Sequence, residues 1–248
     1  MIRLRTRFAK DIVAEFLPPR RASRKVVLLL SGFPSTPGKG GVLKFLSDRG
    51  YWAFHPRYRG TWESGGHFLA RSPEEDVRDV IAGLSRGFKD AYNGEHYRVQ
   101  PTELYLVGSS FGGAAALLAS RDPRVTKAIA FSPVVDWTAS SKTERFDFME
   151  LYVREGFGEA FRFRHADWKK LQRGRFYNPA AVAGSIDGRK ILIVHAKDDA
   201  VVRWQPVARF AKTTSATLRL HKRGGHLSLS SIVQPAFYNQ FIKFIHHV

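Results

Sequence analysis

The chain has 248 residues, no cysteine, and 40 Lys and Arg side chains against 22 Asp and Glu, which gives a formal net charge of +18. A chain of this length can bury a core without disulfides or a structural metal, so small disulfide-rich secreted scaffolds are excluded. The absence of cysteine also excludes thiol nucleophiles and thiolate metal sites. With 44% hydrophobic and 25% charged residues, the composition is that of a globular protein.

The net charge suggests an alternative function, which is the binding of nucleic acid or of an anionic surface. Basic residues are concentrated in residues 1–25 and 162–175. Neither stretch has an RNA-binding aromatic motif or zinc-knuckle spacing, so we interpret both as solvated surface. No apolar run has the length of a signal peptide or of the roughly 18 residues that span a membrane. The sequence therefore predicts a soluble, cytoplasmic protein and leaves its oligomeric state open.

The predicted elements alternate between strand and helix. Ser72-Pro73-Glu74-Glu75 is the strongest start signal, because it supplies an N-cap, a first-turn proline and a capping-box glutamate. In chain order we predict strands at 26–30, 51–55, 104–107, 128–131, 190–195 and 217–220, and helices at 42–48, 73–84, 111–120, 206–212 and 230–246. This alternation predicts an α/β fold with a mostly parallel, doubly wound sheet. We expect one domain over residues 1–248, with residues 134–187 as a helical cap insertion at the carboxyl edge of the sheet.

A nucleophile motif lies between a predicted strand and a predicted helix. Gly108-Ser109-Ser110-Phe111-Gly112 fits the pattern G-x-S-x-G. Glycines two residues on either side let the backbone form the sharp turn that exposes the central serine. The pattern therefore predicts Ser110 as a nucleophile, the alternative being a glycine-rich helix start with an incidental serine.

A serine nucleophile needs a base, and the base needs an orienting carboxylate. Asp198 and Asp199 both follow the predicted strand at 190–195, and His226 follows the strand at 217–220. On this type of sheet the expected chain order is Ser, then acid, then His. The residues alone do not decide which of the two aspartates is the acid. His221 lies within or beside a strand, and the histidines before Asp199 do not fit the order.

These motifs resemble the α/β-hydrolase superfamily from about Lys25 to the C-terminus. In the acid loop of that superfamily the acid usually lies three residues after a small residue and before an apolar pair, which selects Asp199 counted from Ala196. Asp198 is the alternative, with capping of the turn as its other role. Gly224-Gly225-His226 is similar to the histidine loop of the superfamily.

The oxyanion of an acyl-transfer reaction needs two N–H donors. Phe111, directly after the nucleophile, is expected to supply one. The stretch from Ser31 to Ser35 resembles the His-Gly-x-Pro loop of the superfamily, which implies a second donor after the first core strand. Because Pro34 has no N–H, we assign that donor to Phe33.

Further segments are similar to the catalytic domain of the prolyl oligopeptidase (S9) family and to small esterases. Residues 132–137 (SPVVDW) and 143–146 (TERF) carry the likeness, and the chain has no room for that family's β-propeller. Two positions depart from the peptidases. Ser31 stands where they often have an oxyanion tyrosine, and Lys142 stands where a tyrosine lines the proline pocket.

The sequence thus predicts a serine hydrolase that cleaves small or medium acyl esters through an acyl-enzyme and needs no cofactor or metal. The substrate is expected to be a small ester, with a short peptide as the alternative. An S9-like peptidase is the competing enzyme, and a catalytically idle scaffold that binds polyanions is the competing non-enzyme. Aromatic residues between 146 and 168 are expected both to seat the cap and to line an acyl pocket. The basic stretch 162–175 could favour acidic substrates.

Overall fold

Strands are distributed along nearly the whole chain. The computed structural model describes residues 3–139, 141, 143 and 145–246. The strands in the described residues are β1 (Leu4–Phe8), β2 (Ile12–Leu17), β3 (Lys25–Leu30), β4 (Trp52–Pro56), β5 (Phe88–Lys89), β6 (His96–Tyr97), β7 (Glu103–Ser109), β8 (Lys127–Phe131), β9 (Ile191–Ala196) and β10 (Thr217–His221). Eight of them form one sheet in the order β1-β2-β4-β3-β7-β8-β9-β10, and β5 pairs with β6.

The helices fill the connections between these strands. The α-helices in the described part of the chain are α1 (Gly40–Ser47), α2 (Pro73–Arg86), α3 (Phe111–Ala119), α4 (Phe146–Phe157), α5 (His165–Lys169), α6 (Trp204–Thr214) and α7 (Pro235–His246). Short 3-10 helices lie at Gly158–Ala160, Leu171–Arg173, Pro179–Ser185, Gly188–Lys190 and Leu229–Val233. Among the described residues, no helix combines the length and apolarity needed to cross a membrane.

The central strands of the sheet run parallel. β3 pairs in parallel with β4 and β7, and the parallel pairing continues through β8, β9 and β10. Only the pairs that involve β2 are antiparallel among the described strands of this sheet. The prediction of a mostly parallel α/β sheet is confirmed. Because parallel strands end at one edge, the loops after β3, β7, β9 and β10 meet there.

Both faces of the sheet are covered, as the continuous apolar run of β3 predicts. One face packs against α1 and α7, through residues such as Leu43 and Phe241. The other face packs against α2, α3 and α6, through residues such as Val80 and Val207. Helix α2 begins at Pro73 as predicted, and the N–H of Ser72 donates to the Glu75 carboxylate at 3.3 Å.

The N-terminal hairpin of β1 and β2 is absent from the prediction, which treats residues 1–25 only as a basic stretch. Glu15 interrupts the apolar pattern of β2 in the sequence, yet every residue of β2 is buried. Its carboxylate lies 3.2 Å from the guanidinium of Arg57, and the two side chains are only 2% and 3% exposed. Arg3 and Arg5, whose side chains are partly exposed, also pair with the buried Glu15 carboxylate. Part of the N-terminal positive charge is therefore neutralised by an ion pair with Glu15.

Loss of the Glu15 carboxylate is expected to destabilise the protein. Glu15→Gln leaves the buried Arg57 guanidinium with Glu63, 2.7 Å away, as its remaining partner. We expect the free energy of unfolding to fall by about 3 kcal/mol, because the buried Arg57 charge loses the more deeply buried of its two carboxylate partners. Urea denaturation measures this loss. Arg3→Gln is the matched control and should cost at most about 0.5 kcal/mol, since the Arg3 side chain is 42% exposed, against 3% for Arg57. Equal losses in the two variants would contradict the burial argument.

Two further elements differ from the prediction. The helix predicted at 230–246 is divided, since a 3-10 helix ends before Gln234 and α7 begins at Pro235. Proline disfavours helical geometry in the residue that precedes it and has no N–H to continue the hydrogen-bond series. The strands β5 and β6 are two residues long each, too short to show periodicity in a sequence.

The segment 134–187, here called the insert, lies between β8 and β9 in the chain and contains α4 and α5. It is bound to the loop after β4. The N–H of Trp62 donates to Ala160 O at 2.8 Å, and the N–H of Phe68 donates to Arg162 O at 2.7 Å. The hydroxyl of Tyr177 donates to Phe111 O at 2.7 Å. The insert therefore contacts the residue that follows Ser110.

Candidate active site

Ser110 occupies the turn between β7 and α3. Its φ of 52° and ψ of −120° are unusual for a residue with a side chain. A Cβ added at Gly108 would collide with the carbonyl of Gly112, and one added at Gly112 would collide with the carbonyl of Leu30. The two glycines of the motif are thus required by close backbone contacts. This geometry confirms the predicted strand–turn–helix setting of Ser110.

Asp199 and His226 come together at the ends of β9 and β10. His226 Nδ1 lies 2.9 Å from Asp199 Oδ2 and 3.1 Å from Oδ1. The carboxylate also accepts the N–H groups of Val201 at 2.9 Å and Val202 at 3.0 Å. Burial raises the pKa of Asp199, but these hydrogen bonds outweigh burial and keep the pKa below its usual value. An ionised Asp199 holds the proton of His226 on Nδ1 and leaves Nε2 as the acceptor.

Asp198 serves the histidine loop differently. Its carboxylate accepts the N–H of Gly225 at 2.9 Å and that of Gly224 at 3.3 Å. The hydrogen bond from Gly225 is the main reason that the pKa of Asp198 is lowered. The structure therefore brings Asp199 to His226 and uses Asp198 to cap the turn that carries His226.

Two residues beside Asp199 are missing from the sequence-based candidates. His195, the last-but-one residue of β9, is fully buried, and its Nε2–H donates to Val202 O at 2.9 Å. It lies 3.5 Å from Asp199 Oδ2, and burial lowers its pKa. Ser132 is also fully buried and accepts the N–H of Leu227 at 3.1 Å. Their only signal in the sequence is that each stands at the carboxyl end of a strand.

The two candidate oxyanion donors flank Ser110. A Cβ built at Gly32 would lie 3.2 Å from Ser110 Cβ, so the backbone that leads to Phe33 passes beside the serine. Phe111 is the first residue of α3, and its ring contacts the ring of Phe33 with centroids 5.6 Å apart. The geometry therefore brings the Phe33 and Phe111 backbones to the same place as Ser110.

Ser31 is turned away from this place. Its hydroxyl forms a buried hydrogen bond of 2.8 Å with His55 Nε2. Burial, reinforced by the positive charge of Arg57, lowers the pKa of His55 to about 3, so this histidine is neutral. Ser31 therefore belongs to a buried polar pair beneath the loop. Lys142, the other position that departs from the peptidases, lies outside the described residues.

Two cavities meet at Ser110. The first, the insert cavity, has a volume of about 500 Å³ and is lined by Phe111, Trp137, Phe146, Trp168 and other residues. The second, the histidine cavity, measures about 510 Å³ and is lined by Lys39, Phe148, Tyr152, His226 and others. Met149 and Phe33 line both cavities. An ester placed with its carbonyl carbon at Ser110 has room for a group on either side.

Other aromatic residues of the insert seat it on the core instead. Phe161 and Phe163 pack on Phe68, and Phe157 packs on Phe161. Their ring centroids are 5.5 to 6.4 Å apart, within the range of favourable aromatic contacts. The aromatic residues between 146 and 168 thus divide between packing and cavity lining, as predicted.

Solved structures resemble this fold over nearly the whole chain. An esterase of Pyrococcus furiosus aligns with 98% of this chain and 89% of its own, at 17% identity and a TM-score of 0.68. The esterase Est1E of Butyrivibrio proteoclasticus, solved with ferulic acid, aligns over 98% and 99% at 17% identity and a TM-score of 0.67. An acylaminoacyl peptidase of Pyrococcus horikoshii aligns over 98% of this chain but 40% of its own, at 14% identity and a TM-score of 0.66. These likenesses confirm the α/β-hydrolase fold.

Sequence comparison is more specific about descent. No curated protein matches the chain. The sequence model of the prolyl oligopeptidase family, however, matches residues 39–248, which include the turn of Ser110 and the loops of Asp199 and His226. With its α/β-hydrolase fold and most of its length matched by that model, the chain belongs to the prolyl oligopeptidase family of hydrolases.

Proposed function

We propose that the protein is a carboxylesterase-like serine hydrolase of small or medium acyl esters. The observation that carries this proposal is the contact of 2.9 Å between His226 and Asp199, in a site where His226 and Ser110 line one cavity. This arrangement supplies a base with a fixed tautomer beside a serine on a strained turn.

In the proposed reaction, His226 Nε2 takes the proton of Ser110 as its Oγ attacks the ester carbonyl carbon. Asp199 stabilises the imidazolium that forms, and the N–H groups of Phe33 and Phe111 donate to the oxyanion. His226 then protonates the leaving alcohol, and the acyl group remains on Ser110. Water, activated by His226, releases the acid and restores the serine. Each step uses residues of this chain and requires no cofactor or metal.

We assign the insert the role of a cap within a single α/β-hydrolase domain. Its residues Phe146, Met149 and Trp168 form an apolar wall of the insert cavity, on the side of Ser110 that includes Phe111. An acyl chain fits such a wall, because binding sites for small molecules are mostly apolar with a few directed polar groups.

Ser31 favours an ester over a proline-containing peptide as the substrate. The peptidases that the sequence resembles often place an oxyanion tyrosine at this position, whereas the Ser31 hydroxyl is bonded to His55. The esterases among the structural neighbours, one of them solved with ferulic acid, are consistent with this choice.

A substrate panel distinguishes the two enzyme classes. We expect p-nitrophenyl acetate, butyrate and octanoate to be hydrolysed, with the highest kcat/KM at the short or medium chain length that the insert cavity holds. After division by the rate of each substrate with hydroxide, we expect Gly-Pro p-nitroanilide to be cleaved at least about 100-fold less efficiently, because the sequence has Lys142 where the related peptidases have the tyrosine of the proline pocket. Initial rates at 405 nm measure both. A higher kcat/KM for the anilide would replace the esterase proposal with the peptidase.

A further inference from the structure

The two cavities at Ser110 hold different parts of the substrate. This assignment of the cavities rests on the proposed function, in which His226 protonates the leaving group. A general acid must be within hydrogen-bond reach of the atom that it protonates. Because His226 lines the histidine cavity and not the insert cavity among the described residues, the leaving group belongs in the histidine cavity and the acyl group in the insert cavity.

The charges that line the cavities also differ. The described lining of the insert cavity contains two acidic residues, Asp136 and Asp147, and two basic ones, Arg145 and Arg203. In the described lining of the histidine cavity, Lys39 is the only lysine or arginine and no Asp or Glu is present. The leaving-group side therefore has an unbalanced positive charge.

Lys39 is half-buried and has no carboxylate partner among the described residues. No described Asp or Glu oxygen lies within 4.0 Å of its ammonium group. Burial lowers the pKa of Lys39, and its charge contributes to the low pKa of the buried His55. Lys39 lines the histidine cavity together with Gly32 and Phe33, the two residues that follow Ser31. A cation that has lost part of its hydration without gaining a partner is a binding group for an anion.

Part of the lining of the histidine cavity is aromatic. Phe148 and Tyr152 line it on α4, with their rings nearly parallel and their centroids 6.2 Å apart. They are 57% and 46% exposed, so the cavity opens to solvent beside the two aromatic rings. We propose that Lys39 selects substrates whose leaving group combines an apolar body with a carboxylate.

A pair of matched esters tests this selection. The probes are 4-acetoxybenzoate and 4-acetoxybenzamide, which share the acyl group and differ in the charge of the leaving group. After division by their rates with hydroxide, we expect the wild type to favour the benzoate about tenfold in kcat/KM at low ionic strength. In Lys39→Met the ratio should fall to about one, and in Lys39→Arg it should persist. High salt should lower the wild-type ratio, since the cavity is open to solvent.

The matched control is Lys212→Met, which removes the same charge from the exposed end of α6 and should keep the ratio. A wild-type ratio of about one, or a preference that survives in Lys39→Met, overturns the role of Lys39 and leaves the esterase intact. Failure to cleave either ester overturns the proposed function itself. In that case the corresponding acetanilides, 4-acetamidobenzoate and 4-acetamidobenzamide, test whether Lys39 favours a carboxylate on an amine leaving group. A ratio of about one there also rejects the selection.

Discussion

Ser110→Ala is expected to lower kcat for p-nitrophenyl ester hydrolysis by about 10⁴- to 10⁶-fold. The variant removes the oxygen that would form the acyl-enzyme but keeps the cavities, His226 and Asp199 in place. Residual hydrolysis then depends on substrate binding and on the N–H donors alone. The turn itself should persist, because its shape depends on the two flanking glycines and not on the serine hydroxyl. Circular dichroism and the urea midpoint check that the fold is retained.

Labelling with a fluorophosphonate gives a second readout of the same residue. We expect the wild type to gain one covalent adduct, located on Ser110 by peptide mass spectrometry, and Ser110→Ala to gain none. Ser109→Ala is the matched control in the same turn and should keep both labelling and activity within about tenfold. If Ser110→Ala retains most of its esterase activity, or if the label is found elsewhere, the nucleophile assignment is wrong.

Asp199→Asn should lower kcat by about 10³- to 10⁴-fold. An amide can still accept the N–H groups of Val201 and Val202, so the loop should keep its shape. The amide cannot stabilise an imidazolium, and its NH₂ group favours the tautomer in which His226 Nδ1 is the acceptor. His226 Nε2 then carries a proton and cannot act as the base for Ser110. The variant therefore separates the orientation of the histidine from the shape of the site.

Asp198→Asn is the neighbouring control for that experiment. Its side chain can still accept the N–H of Gly225, so we expect kcat to fall by less than about tenfold. Steady-state kinetics of both variants between pH 6 and 9 compare the two aspartates directly. A large loss in Asp198→Asn with near-normal activity in Asp199→Asn would exchange their roles.

The candidate site was predictable because its residues follow strands in a fixed order. Ser110, Asp199 and His226 each come just after an apolar strand, and parallel strands bring such positions to one edge of the sheet. The choice between Asp198 and Asp199 was not available from the residues alone, since two adjacent aspartates differ only in which way the turn directs them. The resemblance to a known acid loop selected Asp199, and the contact with His226 agrees with that choice.

Two of the unpredicted features, the burial of β2 and the contact of His195 with Asp199, involve buried ionisable side chains. The sequence predicts a solvated segment around Glu15, because the partner of Glu15, Arg57, is more than 40 positions away in the sequence. The sequence predicts His195 only as the last residue of a strand, since nothing local shows that its side chain contacts Asp199. Periodicity reports the average polarity of a face, and it does not show which polar side chains come together in the folded chain.

The hydrogen bond from Tyr177 to the carbonyl of Phe111 bears on how substrate reaches the serine. Tyr177 is buried in the insert, and the same insert is joined to the loop after β4 through Trp62 and Phe68. Lifting the insert as a rigid lid would expose these groups unpaired. The exposed rim beside Phe148 and Tyr152 offers substrate and product a route to the histidine cavity that needs no movement of the insert.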